Sequence, residues 1–214
     1  ETLGDRTVNH FCSLPCAGVW LQYASVWKGF RMTGSTTVTP TGVRSVHSRV
    51  TDGTLKDAER LLATLGGADD RIWPKDRWLR LRLDEGLEVG SHGKQGPVRY
   101  RVLEVEPGRR VRFEFEPDCK PALTGWHELR VDPAGDDGLS WTHELMLEHP
   151  SAQVRSILLP LHDALIEDLL DQVEVEVGQH PLERPEFSAG IRARRAMYRP
   201  LRRSTTHREA QAPA

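Results

Sequence analysis

Cysteine is nearly missing from this chain. Its 214 residues hold three, Cys12, Cys16 and Cys119, too few for a disulfide framework. Cys12 and Cys16 stand four apart with no second Cys or His pair at zinc spacing beside them, so neither a metal nor another cofactor is expected. A strong charge imbalance is missing too: the net charge is −2, which does not advertise nucleic-acid binding. No apolar run approaches the roughly 20 residues that a membrane-spanning helix needs. Aromatic residues make up only 7%. What remains, 38% hydrophobic and 28% charged residues, is enough for one core in one domain of ordinary size. A reduced, cytoplasmic setting is the expectation.

Both ends differ in composition from the middle. Residues 1–31 show neither a helical nor a strand period, and they lack the basic stretch and long apolar run of a signal peptide. Met32 is followed by TGSTTVTPTG, small, polar and Pro/Gly-containing. The expectation is a flexible leader over 1–42, with natural translation starting at Met32. The intact mass of the endogenous protein tests this, and a product that retains residues 1–31 refutes it. At the other end, residues 181–214 hold eight Arg against three Glu. A disordered Arg-rich tail over 179–214 is expected, with at most a weak basic contact to an acidic surface.

The middle carries the periodic segments. VRSVHSRV (43–50) puts Val46 and Val50 on one phase and His47 and Arg49 on the other, a half-buried strand with His47 toward solvent. In TDGTLKDAERLLATLGG, Thr54 and Asp57 approximate a capping box. Leu55, Ala58, Leu61, Leu62 and Leu65 recur at helical spacing, and Gly66-Gly67 stops the helix. Asp69 and Asp70 open a short second turn that ends by Pro74. RWLRLRLDE (77–85) alternates as a strand, and LEVGSHGKQGP (87–97) reads as a glycine-rich connector along a bending edge.

Two hairpins follow. Residues 97–117 turn on Pro107-Gly108, which fit the centre of a type II turn. Pairing Glu106 with Arg109 sets Tyr100 opposite Phe115 and Val102 opposite Phe113 on the inner face. Outside, Arg101 meets Glu114 and Arg99 meets Glu116, while Glu104 falls inward as a carboxylate at a rim. In residues 125–150, pairing Val131 with Leu139 across the loop DPAGDDG sets Leu129 opposite Trp141 and His127 opposite His143, all inward. The last segment, SAQVRSILLPLHDALIEDLLDQVEVEV (151–177), is helical. Ser151 caps it, Leu158, Leu161, Leu165 and Leu169 form a stripe, and His162 borders that stripe. Asp163, Glu167, Asp168 and Asp171 crowd the other side. Pro160 predicts a kink or a late start, and Gly178 and Pro181 end the helix.

A strand, short helices, antiparallel strands and one long helix make an α+β chain. The strand with LKDAERLLATL, then IWPKDRW, GPVRYRVLEVEPGRRVRFEFEP, GWHELRV with GLSWTHELMLEH, and LPLHDALIEDLLDQVE together resemble the START-like, helix-grip superfamily over residues 43–178. That superfamily is also called SRPBCC or polyketide cyclase/dehydrase-like. The resemblance implies a curved antiparallel sheet wrapped around the C-terminal helix, with short helices after the first strand. It implies an internal cavity without a fixed cofactor. Lipid carriers, aromatic polyketide cyclases, hormone receptors and co-chaperone domains share this fold, so it implies a cavity and not a reaction.

The inward phases nominate Tyr100, Val102, Phe113, Phe115, Leu129, Trp141, Leu145, Leu158, Leu161 and Leu165 as cavity lining, with His162 beside them. His127 and His143 allow three readings: core histidines satisfied by each other or by backbone, polar anchors in a cavity, or metal ligands with His162 as the third. No spacing supports the metal. Trp73 and Trp78 are expected to pack on the short helices, and Cys119 to be a free thiol in a loop. No Ser, Cys or Thr comes with a placed base and orienter. The expected function is binding of a small hydrophobic molecule, lipid-, polyketide- or aromatic-like. A cofactor-independent cyclase or dehydratase using His127 or His143 is the alternative, and a protein-interaction module is a third. The exposed outer strands permit a homodimer.

Overall fold

The computed structural model describes residues 34–135, 138–177 and 186–197. The expectations on Met32, Cys12 and Cys16 lie outside the described residues. Among the described residues, eight strands form one antiparallel sheet: β1 (Gly34–Val38), β2 (Gly42–Asp52), β3 (Arg82–Leu83), β4 (His92–Gln95), β5 (Val98–Glu106), β6 (Arg110–Phe115), β7 (Gly125–Pro133) and β8 (Gly138–Glu148). Their order across the sheet is β1-β2-β8-β7-β6-β5-β4-β3. Helix α1 (Leu55–Leu62) follows β2, helix α2 (Leu159–Glu176) follows β8, and α3 (Ala189–Met197) comes last. Among the described residues, no helix is long and apolar enough to cross a membrane.

Local chemistry accounts for the boundaries. Thr54 caps α1: its hydroxyl accepts the Asp57 N–H while the Asp57 carboxylate accepts the Thr54 N–H, the expected reciprocal box. The β5–β6 hairpin turns at Gly108, whose φ of 67° needs a residue without Cβ. Tyr100 pairs with Phe115, Arg101 with Glu114 and Val102 with Phe113, as expected. A bulge between Val102 and Glu104 then shifts the register, so that Glu106 pairs with Arg110 and not with Arg109. The bulge turns Glu104 to the outer face, where it binds Arg110, and it is no rim carboxylate.

The β7–β8 register also differs from the expected one. Val131 pairs with Trp141, Leu129 with His143 and His127 with Leu145. The strands run closer to the turn than the loop composition suggests, since Pro133 still pairs with Leu139. A slip of two residues keeps every side chain on its face. His127 and His143 are therefore diagonal neighbours and still share the inner face.

Other expectations fail. Only Arg82–Leu83 of residues 77–85 is strand; alternation alone did not make one, because Trp73 Nε1 donates to the Leu79 carbonyl at 2.8 Å and folds this stretch back on itself. His92–Gln95, read as connector, pairs with β5. Gly34–Val38, assigned to the flexible leader, pairs with β2. Ala189–Met197, assigned to the disordered tail, is a helix that packs on α2 through the fully buried Ile191.

Pro160 explains the start of α2. It lies in the first turn, preceded by a π-helical turn over Val154–Leu158. Proline has no N–H to offer the carbonyl four residues back, which is that of Ser156. Arg194 Nε of α3 donates to that carbonyl instead, at 2.8 Å. The helix interruption and the last helix are thus joined by one hydrogen bond.

Candidate functional site

The inner face of β2 is polar. Val43, Ser45, His47 and Thr51 are buried, whereas Val50 is 63% exposed. The expectation that His47 faces solvent is wrong. Val46 and Val50 do not choose the inner face; the acidic side of α2 does. His47 Nδ1 donates to Glu167 Oε1 at 2.7 Å, and its Nε2 lies 3.2 Å from Asp163 Oδ1. Arg49 reaches Glu167 at 3.0 Å, and Asp171 and Glu174 at 2.7 Å each. Ser45 donates its hydroxyl to Asp163 at 3.0 Å. Burial pulls the His47 pKa down, but the two carboxylates outweigh it and raise the value to about 9. With a carboxylate on each nitrogen, His47 is an imidazolium. Asp168, on the same helix, accepts from Arg77 at 2.8 Å and from the Trp78 indole. The acidic side of α2 is therefore a set of buried clamps onto β2 and the segment after α1.

The apolar side of α2 and the inner faces of β5 to β8 enclose a cavity of about 490 Å³. Tyr100, Phe113, Phe115, His127, Leu129, His143 and Leu145 line it from the sheet, and Leu158, Leu161, His162 and Leu165 from the helix. Val102 and Trp141 do not line it. Val102 is closed into the core, and Trp141 is wholly buried with its Nε1 donating to Thr51 at 3.1 Å. Both point inward from the sheet, but where other side chains fill the space below.

Sequence reasoning missed part of the wall. Trp73 and Trp78 line the cavity, although they were expected only to pack on short helices. Phe187, Arg192, Arg195 and Ala196 line it from α3 and the residues before it. Arg192, Ala196 and Lys120 both line the cavity and are exposed, so they mark where it meets solvent. The signal that could have found α3 is Ile191 amid arginines, a single apolar anchor in a basic helix.

The histidine end is the chemically distinctive wall. His143 Nε2 lies 3.3 Å from His127 Nδ1. His162 Nδ1 lies 3.3 Å from the Asp163 carboxylate, and the His143 and His162 rings are 5.0 Å apart. The remaining nitrogen of each ring, His127 Nε2, His143 Nδ1 and His162 Nε2, is buried with no hydrogen-bond partner among the described residues. Burial holds all three pKa values down, that of His127 to about 3, so all three rings are neutral near pH 7. Asp163 is held well below the usual carboxylate range: burial opposes its charge, but hydrogen bonds from His162 and His47 prevail. The His127 ring stacks on Phe113 at 5.0 Å and meets Tyr100 edge-on at 5.0 Å. Tyr100 donates its hydroxyl to Gln95 Oε1 at 3.1 Å.

An antiparallel sheet, a long helix buried against it and a cavity between them define a START-like helix-grip fold. Solved structures agree. CalU16 from Micromonospora echinospora superposes with a TM-score of 0.51 at 16% identity, covering 81% of this chain and 98% of that one. Norcoclaurine synthase from Thalictrum flavum gives 0.52 at 10% identity, covering 84% and 100%. EF2215 from Enterococcus faecalis, a conserved protein of unknown function, gives 0.52 at 10% identity, covering 85% and 96%. No family model and no curated protein matches the sequence.

Proposed function

We propose that this protein binds a small, largely apolar molecule between the sheet and α2, with His127, His143 and His162 fixing its polar end. One observation carries the reading: His127, His143 and His162, each with a buried ring nitrogen that has no partner among the described residues, line an apolar cavity of about 490 Å³. Buried polar groups are normally satisfied, and leaving one bare costs about 1–3 kcal/mol. A ligand that satisfies them recovers that cost on binding. The volume is in the range that holds drug-sized molecules. Native mass spectrometry of the full chain, purified gently and then incubated with a mixed lipid and aromatic library, tests the reading. An adduct of a few hundred daltons, lost when His143 and His162 are changed to Phe, is the expected result. A clean apo mass throughout would overturn it.

One observation favours catalysis as a second reading. His162 lines the cavity, with its Nδ1 oriented by the Asp163 carboxylate and its Nε2 without a partner among the described residues, an arrangement that becomes a general base once the ring turns toward a ligand. Norcoclaurine synthase, by its name a synthase, has the same fold. On this reading the protein is a cofactor-independent, cyclase- or dehydratase-like lyase. Turnover of a captured ligand that disappears in His162→Phe, with binding retained, would support it.

A further inference from the structure

We infer that the ligand also carries an anionic group, held at the cavity mouth by a cluster of arginines gathered around Phe187. This rests on the cavity reading above and names the chemical class, an organic acid with an apolar body. The wall of the cavity includes four cationic residues, Arg77, Lys120, Arg192 and Arg195, and no Asp or Glu. Three of the four meet at Phe187, which is itself part of the wall. The Arg77 guanidinium lies 3.9 Å from the Phe187 ring centroid, and that of Arg195 lies 4.1 Å from it. Arg192 donates from Nη1 to the Phe187 carbonyl at 2.6 Å. Helix α3 supplies two of these cations: its sequence AGIRARRAM has three arginines and no acid, and the buried Ile191 anchors it beside the opening.

The three arginines at Phe187 are not alike. Arg77 is paired with Asp168 at 2.8 Å. Arg195 lies over the rings of Trp78 and Phe187 and donates to the Arg77 carbonyl. These two tie α3 to the segment after α1. Arg192 is exposed, and no Asp or Glu of the described residues pairs with it. Glu186, the acid nearest to it in sequence, is exposed and does not line the cavity. A neutral ligand leaves the Arg192 charge as it is, and a cationic one is repelled. An anionic group gains a charge-assisted hydrogen bond, and the planar guanidinium fork suits a carboxylate. Because Arg192 stands where the wall meets solvent, the anion keeps part of its hydration and avoids the cost of burying a charge.

The test compares probes of one apolar scaffold on the full chain at pH 7.5. 2-Naphthoate, its neutral methyl ester and 2-naphthylmethylamine each displace the neutral fluorescent reporter N-phenyl-1-naphthylamine. The expected order is acid, ester, amine, with the acid about fivefold or more tighter than the ester. The ranking is read on the unaltered protein, so it does not depend on a variant folding. About 1 M NaCl should shrink the ratio of acid to ester affinity, because the mouth is open to screening. Arg192→Gln should bring that ratio toward one, and Arg192→Glu should put the amine ahead of the acid. A role of Arg192 in holding α3 alone would move all three probes together and leave the ratio unchanged. A flat ranking, an ester or amine bound ahead of the acid, or an acid preference that survives both Arg192 variants overturns the anion inference and leaves the cavity reading standing. Failure of the reporter and every probe to bind overturns the cavity reading, and this inference with it.

Discussion

Two histidine settings lie side by side in this protein and behave in opposite ways. The His47 and His162 rings are 6.5 Å apart and share the Asp163 carboxylate. His47 meets a second carboxylate, Glu167, on its other nitrogen, and is a cation. The other nitrogen of His162 is buried without a partner among the described residues, and the ring is neutral. Both are buried, so burial alone does not decide charge. What the second nitrogen faces decides it. The seam between β2 and α2 is therefore paired and structural, whereas the cavity end is short of partners among the described residues.

Removing a charge from the seam should have the largest effect. Arg49→Met leaves Glu167, Asp171 and Glu174 without their shared cation. Breaking a buried ion pair from one side costs about 3–5 kcal/mol, because the stranded charges stay buried. Urea unfolding followed by intrinsic tryptophan fluorescence measures it. A loss below about 1 kcal/mol would show that the seam is solvated and that the contrast with the cavity is false.

The pH dependence comes next, and the two settings contribute with opposite sign. The folded pKa of His47, about 9, lies above its ordinary 6.5. Its contribution is thus complete below pH 6.5 and is lost as pH rises toward 9, on the order of 3 kcal/mol in all. The cavity histidines have lowered folded pKa values, that of His127 about 3. The unfolded chain takes up protons that the folded one refuses, so stability is lost as pH falls below 6.5. Stability should peak near pH 6.5. His47→Phe should remove the alkaline limb, and the double variant His127→Phe/His143→Phe should flatten the acid limb. Unfolding curves at a series of pH values read both, and an acid limb unchanged in the double variant contradicts the neutral cavity.

The same double variant sharpens the comparison at neutral pH. It removes two buried nitrogens that lack partners among the described residues and adds apolar surface to an apolar wall. Stability should hold or rise by about 1 kcal/mol, while affinity for a captured ligand falls. A histidine that supports the fold would give the opposite, a loss of several kcal/mol in the thermal melt. Such a loss would move His127 and His143 into the structural class with His47.

These two settings also mark where the sequence was legible. The hairpin phases were readable because apolar and charged sets agree on one face, and they correctly turned Tyr100, Phe113, His127 and His143 inward. The register of β7 with β8 was not readable, since a two-residue slip leaves the faces unchanged and the pattern cannot see it. His47 was misread for a different reason. Alternation assigns polar residues to solvent, and it has no means of knowing that a helix more than a hundred positions later presents carboxylates to them. The same blindness hid α3: eight arginines over residues 181–214 read as a solvated tail, although Ile191 is wholly buried and Arg194 serves the Ser156 carbonyl that Pro160 leaves open. Local patterns carried β2, α1, α2 and the two hairpins, whereas β1, β4 and α3 went unread.

The mildest perturbation reaches His47 without touching any charge. Gly34 of β1 pairs with His47, and a Cβ placed there would lie 2.4 Å from its Nδ1. Gly34→Ala must therefore move either the edge strand or the imidazole. β1 is an edge strand and can yield in part, so the stability cost should stay near 1 kcal/mol. If the ring moves, its bond to Glu167 lengthens and its pKa drops from about 9 toward the ordinary value. The three cavity histidines, which Gly34 does not touch, should titrate as before. Histidine imidazole signals followed by NMR across pH 5 to 10 report all four rings in one experiment. A shift confined to His47 would show that its charge depends on being pressed between β1 and α2. An unchanged His47 with a displaced β1 would show that the carboxylates alone hold it, and that the edge strand is a cover which can be opened without cost to the seam.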